Sequence, residues 1–409
     1  MGLVVLLGFS SFSRASIPSK SGELISCKLT KRFSYEELTT FFKLHKIPKV
    51  VLPVRKALNI YEVIYTTIYA DSSIVQASGL LYVPVDSGKE LPLMIYNHGT
   101  EMCRERSCDF TGEQSICLAF ATDDYIVLTP DYVGLGSSDS VQLYLNAWSE
   151  ARTSVDMLLA VKKALPQIGV PTNSQLFLTG YSQGGHASMA TARLLQQDYS
   201  KQFPVTAAAP MSGPYDVELT VYGGRNKKFG YPAFFLLLLQ SYYESIHNYN
   251  GFAAVFAHPY DKLFPVVLDG DIEISDANKL LPDTVYEVFT QQFLKDFEDS
   301  SSGFRKFLRT NNVYDWKPQM PMQLCYCNGD EEVNYKNSIE TYETMKRNGS
   351  TTVELWRAGK KFGHVNCALF AVVYTKMFFD GFRNGHPGSH GPGGKRALLN
   401  IGKIAVKAY

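Results

Sequence analysis

Gly180-Tyr-Ser-Gln-Gly184 is a Gly-x-Ser-x-Gly element. A strand-like run, Leu176 to Thr179, precedes it, and a helix-like stretch, Gly184 to Gln197, follows. A serine at so sharp a strand-to-helix turn is held in a strained backbone conformation. Small residues at 180 and 184 are needed because the turn brings the two backbones together. The Ser182 hydroxyl then projects beyond the sheet at a helix N-terminus, where free N–H groups stabilise a developing anion. The chemistry this suits is nucleophilic attack on a carbonyl carbon.

A serine hydroxyl attacks only when a base removes its proton. On a strand–turn–helix nucleophile the partners follow in the order Ser, acid, His. His247, His258, His364, His386 and His390 lie C-terminal to the serine. Two fall in a long helical stretch and two in a Gly/Pro-rich tail. Phe362-Gly-His364-Val-Asn follows the last strand-like run and precedes a helix, so His364 is the expected base. The acid belongs after the preceding strand, in Cys327-Asn-Gly-Asp330-Glu-Glu-Val333. Asp330, Glu331 and Glu332 compete. Asp330 comes first after the glycine turn and has the short arm suited to a loop tip. Glu332 ranks next, and the two not used are expected to be surface charges.

The oxyanion formed by attack needs two backbone N–H donors. One is expected from Gln183, the residue after the nucleophile. The other is expected from Thr100, in the loop Asn97-His-Gly-Thr100 after a strand-like run. Gly99 lets that backbone approach a substrate. His98, Gly99 and Tyr181 are the expected substrate neighbours, with His98 more a ring that holds the loop than a base. No metal and no cofactor is called for: there is no His-Glu-x-x-His, and the histidines are scattered.

These residues need a scaffold. Short apolar runs, Leu93 to Tyr96, Ile126 to Thr129, Leu176 to Thr179 and Ala207 to Pro210, alternate with helix-like Ala151 to Leu165 and Gly184 to Gln197. This alternation predicts an α/β fold, a mostly parallel central sheet flanked by helices. Ile60 to Tyr69 and Ile74 to Pro84 read as a strand pair ahead of it. Ser34 with Glu37 reads as a helix N-cap. Alternation stops near 216 and resumes at Met322 to Tyr326 and Thr352 to Trp356, before a helix from about 365 to 382. The expected division is a core of 21–215 and 316–384, a helical cap or lid insertion over 216–315, and a Gly/Pro linker and tail over 385–409. Residues 1–20 read as a signal-peptide remnant: an apolar run, Leu3 to Phe9, precedes Ser13-Arg-Ala15.

Composition narrows the class. Hydrophobic residues make up 45% and charged residues 19%, which excludes a disordered chain. The net charge of +1 argues against nucleic-acid binding. No apolar run reaches the ~18 to 20 residues of a membrane-spanning helix. The seven cysteines, an odd number, show no readable disulfide framework. Cys103 and Cys108 are near enough to bridge. Cys325 and Cys327 are read as facing opposite ways on a strand and unable to bridge each other. Buried free thiols are expected for most.

Taken together, 23–382 resembles an α/β-hydrolase of the secretory lipase type. Ala77-Ser-Gly-Leu-Leu-Tyr-Val-Pro84, Asn97-His-Gly-Thr100, Thr129-Pro-Asp-Tyr-Val-Gly-Leu-Gly-Ser137, Ser149-Glu-Ala151, Gly180-Tyr-Ser-Gln-Gly-Gly-His186 and Gly329-Asp-Glu-Glu-Val333 carry the resemblance. It implies a Ser182–Asp330–His364 triad and cleavage of small-molecule or lipid esters without a metal. It also implies a helical cap after the nucleophile, and export, secreted or periplasmic, from a bacterium. Asn334 departs from the family pattern, in which a proline is common. The Phe-, Leu- and Tyr-rich insertion reads equally as an apolar lid or as packing of cap on core. The rival reading is a serine peptidase of the same fold, resembling prolyl aminopeptidases. It would grip a free amine with Asp261, Asp269, Asp271 or Glu273.

Overall fold

The computed structural model describes residues 20–45, 47, 52–105, 109–223, 232–282 and 285–386. The expected signal-peptide remnant falls outside them apart from Lys20. So do Cys108, His390 and all but the first two residues of the Gly/Pro tail.

The chain begins with strand β1 (Leu24–Phe33), helix α1 (Tyr35–Leu44) and strands β2 (Leu58–Ile68) and β3 (Ile74–Pro84). Ser34 caps α1 reciprocally: its hydroxyl accepts the Glu37 N–H, and the Glu37 carboxylate accepts the Ser34 N–H. β1 was not legible in the sequence. Lys28, Lys31 and Arg32 interrupt its apolar pattern, as charges on an edge strand do.

The core follows as β4 (Leu91–Asn97), α2 (Gly112–Ala121), β5 (Ile126–Pro130), α3 (Ala147–Gln167), β6 (Thr172–Tyr181), α4 (Gln183–Asp198) and β7 (Ala207–Met211). Seven helices come next: α5 (Val217–Gly223), α6 (Pro232–Ser245), α7 (Tyr249–Ala253), α8 (Tyr260–Val267), α9 (Ile274–Lys279), α10 (Gln291–Glu298) and α11 (Gly303–Thr310). The fold then closes with β8 (Met322–Cys327), α12 (Lys336–Arg347), β9 (Val353–Gly359) and α13 (His364–Arg383).

The nine strands form one sheet in the order β1-β2-β3-β5-β4-β6-β7-β8-β9. Pairs from β5 to β9 are parallel, and those from β1 through β3 to β5 are antiparallel. Every residue of β4, β5 and β7 is buried, as expected for parallel strands covered on both faces. Along β4, Met94 and Tyr96 join the core under α2 and α13, while Leu93 and Ile95 join the core under α3 and α4. This is the α/β-hydrolase arrangement.

The helices between β7 and β8 have a core of their own, in which Phe235, Phe289, Phe293, Phe297 and Phe304 pack ring against ring. Leu236 to Leu239 are all buried there. Met102, Tyr144 and Leu145 from core loops join the same cluster. α13 is long and apolar enough to cross a membrane by length and composition, but its Phe370, Tyr374 and Phe379 are buried in the core under the sheet.

The cysteine reading needs two corrections. Cys327 and Cys367 form a disulfide, which joins the end of β8 to the first turn of α13. Cys325 and Cys327 also share one face, in the cluster that holds Cys367, because side chains on a strand repeat every two residues. Cys27, Cys103, Cys117 and Cys325 are not disulfide-bonded among the described residues.

Candidate active site

The turn between β6 and α4 is built around a conformation few residues adopt. Ser182 has φ 58° and ψ −122°, which costs a non-glycine residue roughly 1–3 kcal/mol. Its neighbours leave no room for side chains. A Cβ at Gly180 would lie 2.3 Å from the Asn97 carbonyl oxygen, and one at Gly184 would lie 1.9 Å from it. The β6–α4 turn and the loop after β4 are therefore pressed together through two glycines. The Ser182 N–H donates to Met211 O at the end of β7 (3.1 Å).

His364 opens α13 and is 4% exposed. Its Nδ1 lies 2.9 and 2.8 Å from the two carboxylate oxygens of Asp330. Asp330 also accepts the N–H groups of Glu332 (3.2 Å) and Val333 (2.9 Å). A carboxylate that accepts from the ring leaves the Nδ1 proton in place and turns the Nε2 lone pair outward. Nε2 is buried without a hydrogen-bond partner among the described residues, so no bond to Ser182 is formed in this geometry. The link between the two sites runs through Tyr181, whose hydroxyl donates to the His364 carbonyl (2.6 Å) and whose ring lies 4.9 Å from the imidazole. Burial lowers the pKa of His364, but the Asp330 hydrogen bond and charge, with Glu332 and Glu331, outweigh it and raise it.

The other two carboxylates do not behave as an exposed pair. Glu331 accepts the His364 backbone N–H (3.0 Å), which holds the first residue of α13. The Glu332 side chain is 9% exposed, and one carboxylate oxygen lies 3.9 Å from Nε2. The expectation of surface charges holds for Glu331, which is exposed, and fails for Glu332, whose side chain turns back toward the imidazole.

The loop after β4 is held by side chains around it. The Gly99 N–H is taken by the Glu113 carboxylate, at 3.1 Å from both oxygens, and Tyr96 donates to the same group (2.8 Å). The side chains of Thr100 and Gln183 are engaged elsewhere. The Thr100 hydroxyl meets Tyr144 Oη (3.1 Å), and Gln183 Nε2 donates to Glu150 (2.8 Å). Glu150 also holds His186 Nδ1 (2.6 Å), and His186 Nε2 donates to the Asn311 carbonyl beyond α11 (2.8 Å). His98 Nδ1 contacts the Gly99 carbonyl (2.7 Å), and its ring packs 4.4 Å from Tyr132, a place that suits a loop-holding role. Tyr181 is 3% exposed and its ring faces His364. Glu113, Glu150 and the disulfide were not identified in the sequence.

A cavity of about 210 Å³ lies against the outer side of this loop, lined in part by Tyr82, His98, Glu101, Cys103, Glu113 and Glu273. Of the carboxylates weighed for amine binding, Glu273 borders it, while Asp261 pairs with exposed His258 (3.2 Å). Among the described residues no group of three His, Cys, Asp or Glu could hold a metal ion.

The secretory lipase family profile matches residues 111–372. The chain belongs to the secretory lipase family. Its fold is similar to that of the rice cell wall degrading esterase LipA from Xanthomonas oryzae. That similarity has TM-score 0.78 and 26% identity, covering 90% of this chain and 99% of LipA. A Legionella pneumophila protein is similar at TM-score 0.80 and 28% identity, over 88% of this chain and 98% of the other. Candida antarctica lipase A in its closed state shares the fold at TM-score 0.70 and 14% identity, over 91% and 84%. A search of curated protein sequences finds no match. Family and neighbours together make the protein a lipase or esterase, a hydrolase of esters.

Proposed function

We propose that the protein cleaves carboxylic esters in two acyl-transfer steps. Ser182 attacks the ester carbonyl while His364 Nε2 takes its proton. The backbone N–H groups of Gln183 and Thr100 hold the tetrahedral oxyanion. His364 returns the proton to the leaving alcohol, then activates water to release the acid. Asp330 keeps the ring in the tautomer whose Nε2 can accept. The observation that carries this reading is the Asp330–His364 pair, anchored by Tyr181 beside the strained Ser182 turn. The engaged side chains of Gln183 and Thr100 support backbone donors at both positions.

The helices between β7 and β8 act in this reading as a cap over the acyl site. Tyr144 bridges the two parts: its hydroxyl meets Thr100 and its ring stacks on Phe234 at 6.3 Å. Buried Leu236 to Leu239 belong to the interior of the cap, so acyl preference depends on other side chains. Export is part of the proposal. The family is secretory by description, and a disulfide between β8 and α13 persists in an oxidising compartment.

The test is hydrolysis of p-nitrophenyl esters from acetate to palmitate by wild type and Ser182→Ala. Activity lost by several orders of magnitude in folded Ser182→Ala is the expected result. Equal rates in both proteins would remove Ser182 from the mechanism.

A further inference from the structure

We propose that Glu332 is a positioning residue for the base, a second carboxylate that faces the reacting nitrogen of His364 while Asp330 faces the other. This inference rests on the reading of Ser182 and His364 as nucleophile and base. The Glu332 side chain is 9% exposed, so little water lies between its carboxylate and the ring. Its placement is built into the acid loop. Asp330 accepts the Glu332 N–H, so the group that orients the imidazole also orients the backbone of Glu332.

The separation decides the role. At 3.9 Å the Glu332 oxygen is too far from Nε2 for a hydrogen bond, yet close for a charge interaction. It therefore attracts the imidazolium that forms when Ser182 is deprotonated, without replacing the serine as the partner of Nε2. The groups that face His364 are Asp330 at Nδ1, Glu331 at the backbone N–H, Glu332 at Nε2, Tyr181 under the ring and, from α2, Glu113 through its charge. All the carboxylates in this set favour the protonated ring. Glu332 is the member on the side where substrate reacts. Two consequences follow. The base takes up its proton at a higher pH than Asp330 alone would set. Esters with a negative charge near the scissile bond meet a like charge.

The variant is Glu332→Gln, which keeps shape and removes charge, with Glu332→Asp as the conservative control. Folding is checked first by thermal unfolding. The His364 ring is then titrated by NMR in the full chain, and kcat/KM is measured against pH. The titration midpoint and the acid limb should both move down by roughly 0.5–1 pH unit in Glu332→Gln and stay near wild type in Glu332→Asp. The ratio of kcat/KM for a succinate half-ester to that for the butyrate ester should rise several-fold in Glu332→Gln. An unmoved midpoint in a folded variant would overturn the proposal, as would an unmoved charge ratio. Ser182→Ala separates the two layers. If it retained activity, the mechanism would fail, while the NMR titration would still report what Glu332 does to His364.

Discussion

The disulfide between Cys327 and Cys367 brackets the Asp330–His364 pair: Asp330 lies three residues after one cysteine and His364 three residues before the other. Asp330 and His364 sit on separate elements, the loop after β8 and the first turn of α13. The bridge ties those elements directly behind the pair. It also closes a loop of sequence separation 40, which restricts the unfolded chain.

Replacing both cysteines by alanine should therefore have two separable effects. Stability should fall by up to about 4 kcal/mol, the loop-entropy value for a closure of this length. Turnover should fall as well, with KM little changed, because the bridge holds the base and not the substrate. Thermal unfolding and steady-state kinetics on one ester read both. A lower melting temperature with wild-type kcat would reduce the bridge to a purely stabilising role.

The two glycines of the β6–α4 turn lead to a sharper expectation. A methyl group at Gly184 would sit 1.9 Å from the Asn97 carbonyl oxygen, a backbone atom that cannot swing aside. Gly184→Ala should cost roughly 3 kcal/mol or more, or prevent folding outright. Chemical denaturation measures it. A soluble Gly184→Ala protein with native stability would mean that the loop after β4 can retreat from the turn.

Behind that turn, the Glu150 carboxyl is 1% exposed and held by Gln183 and His186. His186 in turn reaches Asn311, at the end of the last helix before β8. His186→Ala removes one partner and leaves a buried carboxyl oxygen without its hydrogen bond, so it should destabilise by roughly 1–3 kcal/mol. His186→Ala combined with Glu150→Gln should recover part of that loss, because an amide is less costly to leave partly unpaired than a carboxyl. A double variant no better than the single one would place the cost in packing.

What could be read in advance follows from how far apart the cooperating residues are. Gly180, Ser182 and Gly184 are local, and their spacing alone dictates a tight turn. The parallel strands were legible because burial on both faces makes them continuous apolar runs, as in β4. Cys327 and Cys367 were not pairable, since their proximity depends on how β8 and α13 pack. Glu332 reads as a surface charge because three adjacent acidic residues look alike until the loop folds back. Glu113 sits in a helical run with no motif around it, and only the approach of Gly99 and Tyr96 gives it a task.

Glu113 supports a pH prediction whose sign is fixed by its environment. Burial pushes its carboxyl up to about 7 from 4.5, with the Glu101 charge adding to the rise; the hydrogen bonds from Tyr96 and Gly99 and the His364 charge oppose it. Between those values the folded protein holds more protons on this group than the unfolded chain does. Stability from Glu113 therefore declines as pH rises from about 4.5 to about 7, by at most about 3 kcal/mol. Glu101, raised to about 7 by burial and by Glu273, adds a slope of the same sign. Glu113→Gln should flatten the decline without abolishing it, since Glu101 still titrates. Melting temperatures of wild type and variant at pH 5 and pH 7.5 read the difference. Activity offers a second check. The amide oxygen of Gln can still accept the Gly99 N–H, and its NH₂ can donate to the Tyr96 hydroxyl, which reverses that hydrogen bond. The loop should keep its place, and ester turnover should fall modestly at most at a pH where His364 is neutral. An unchanged pH slope in Glu113→Gln would mean that this carboxyl is solvated in the free protein and that Gly99 is held by another group.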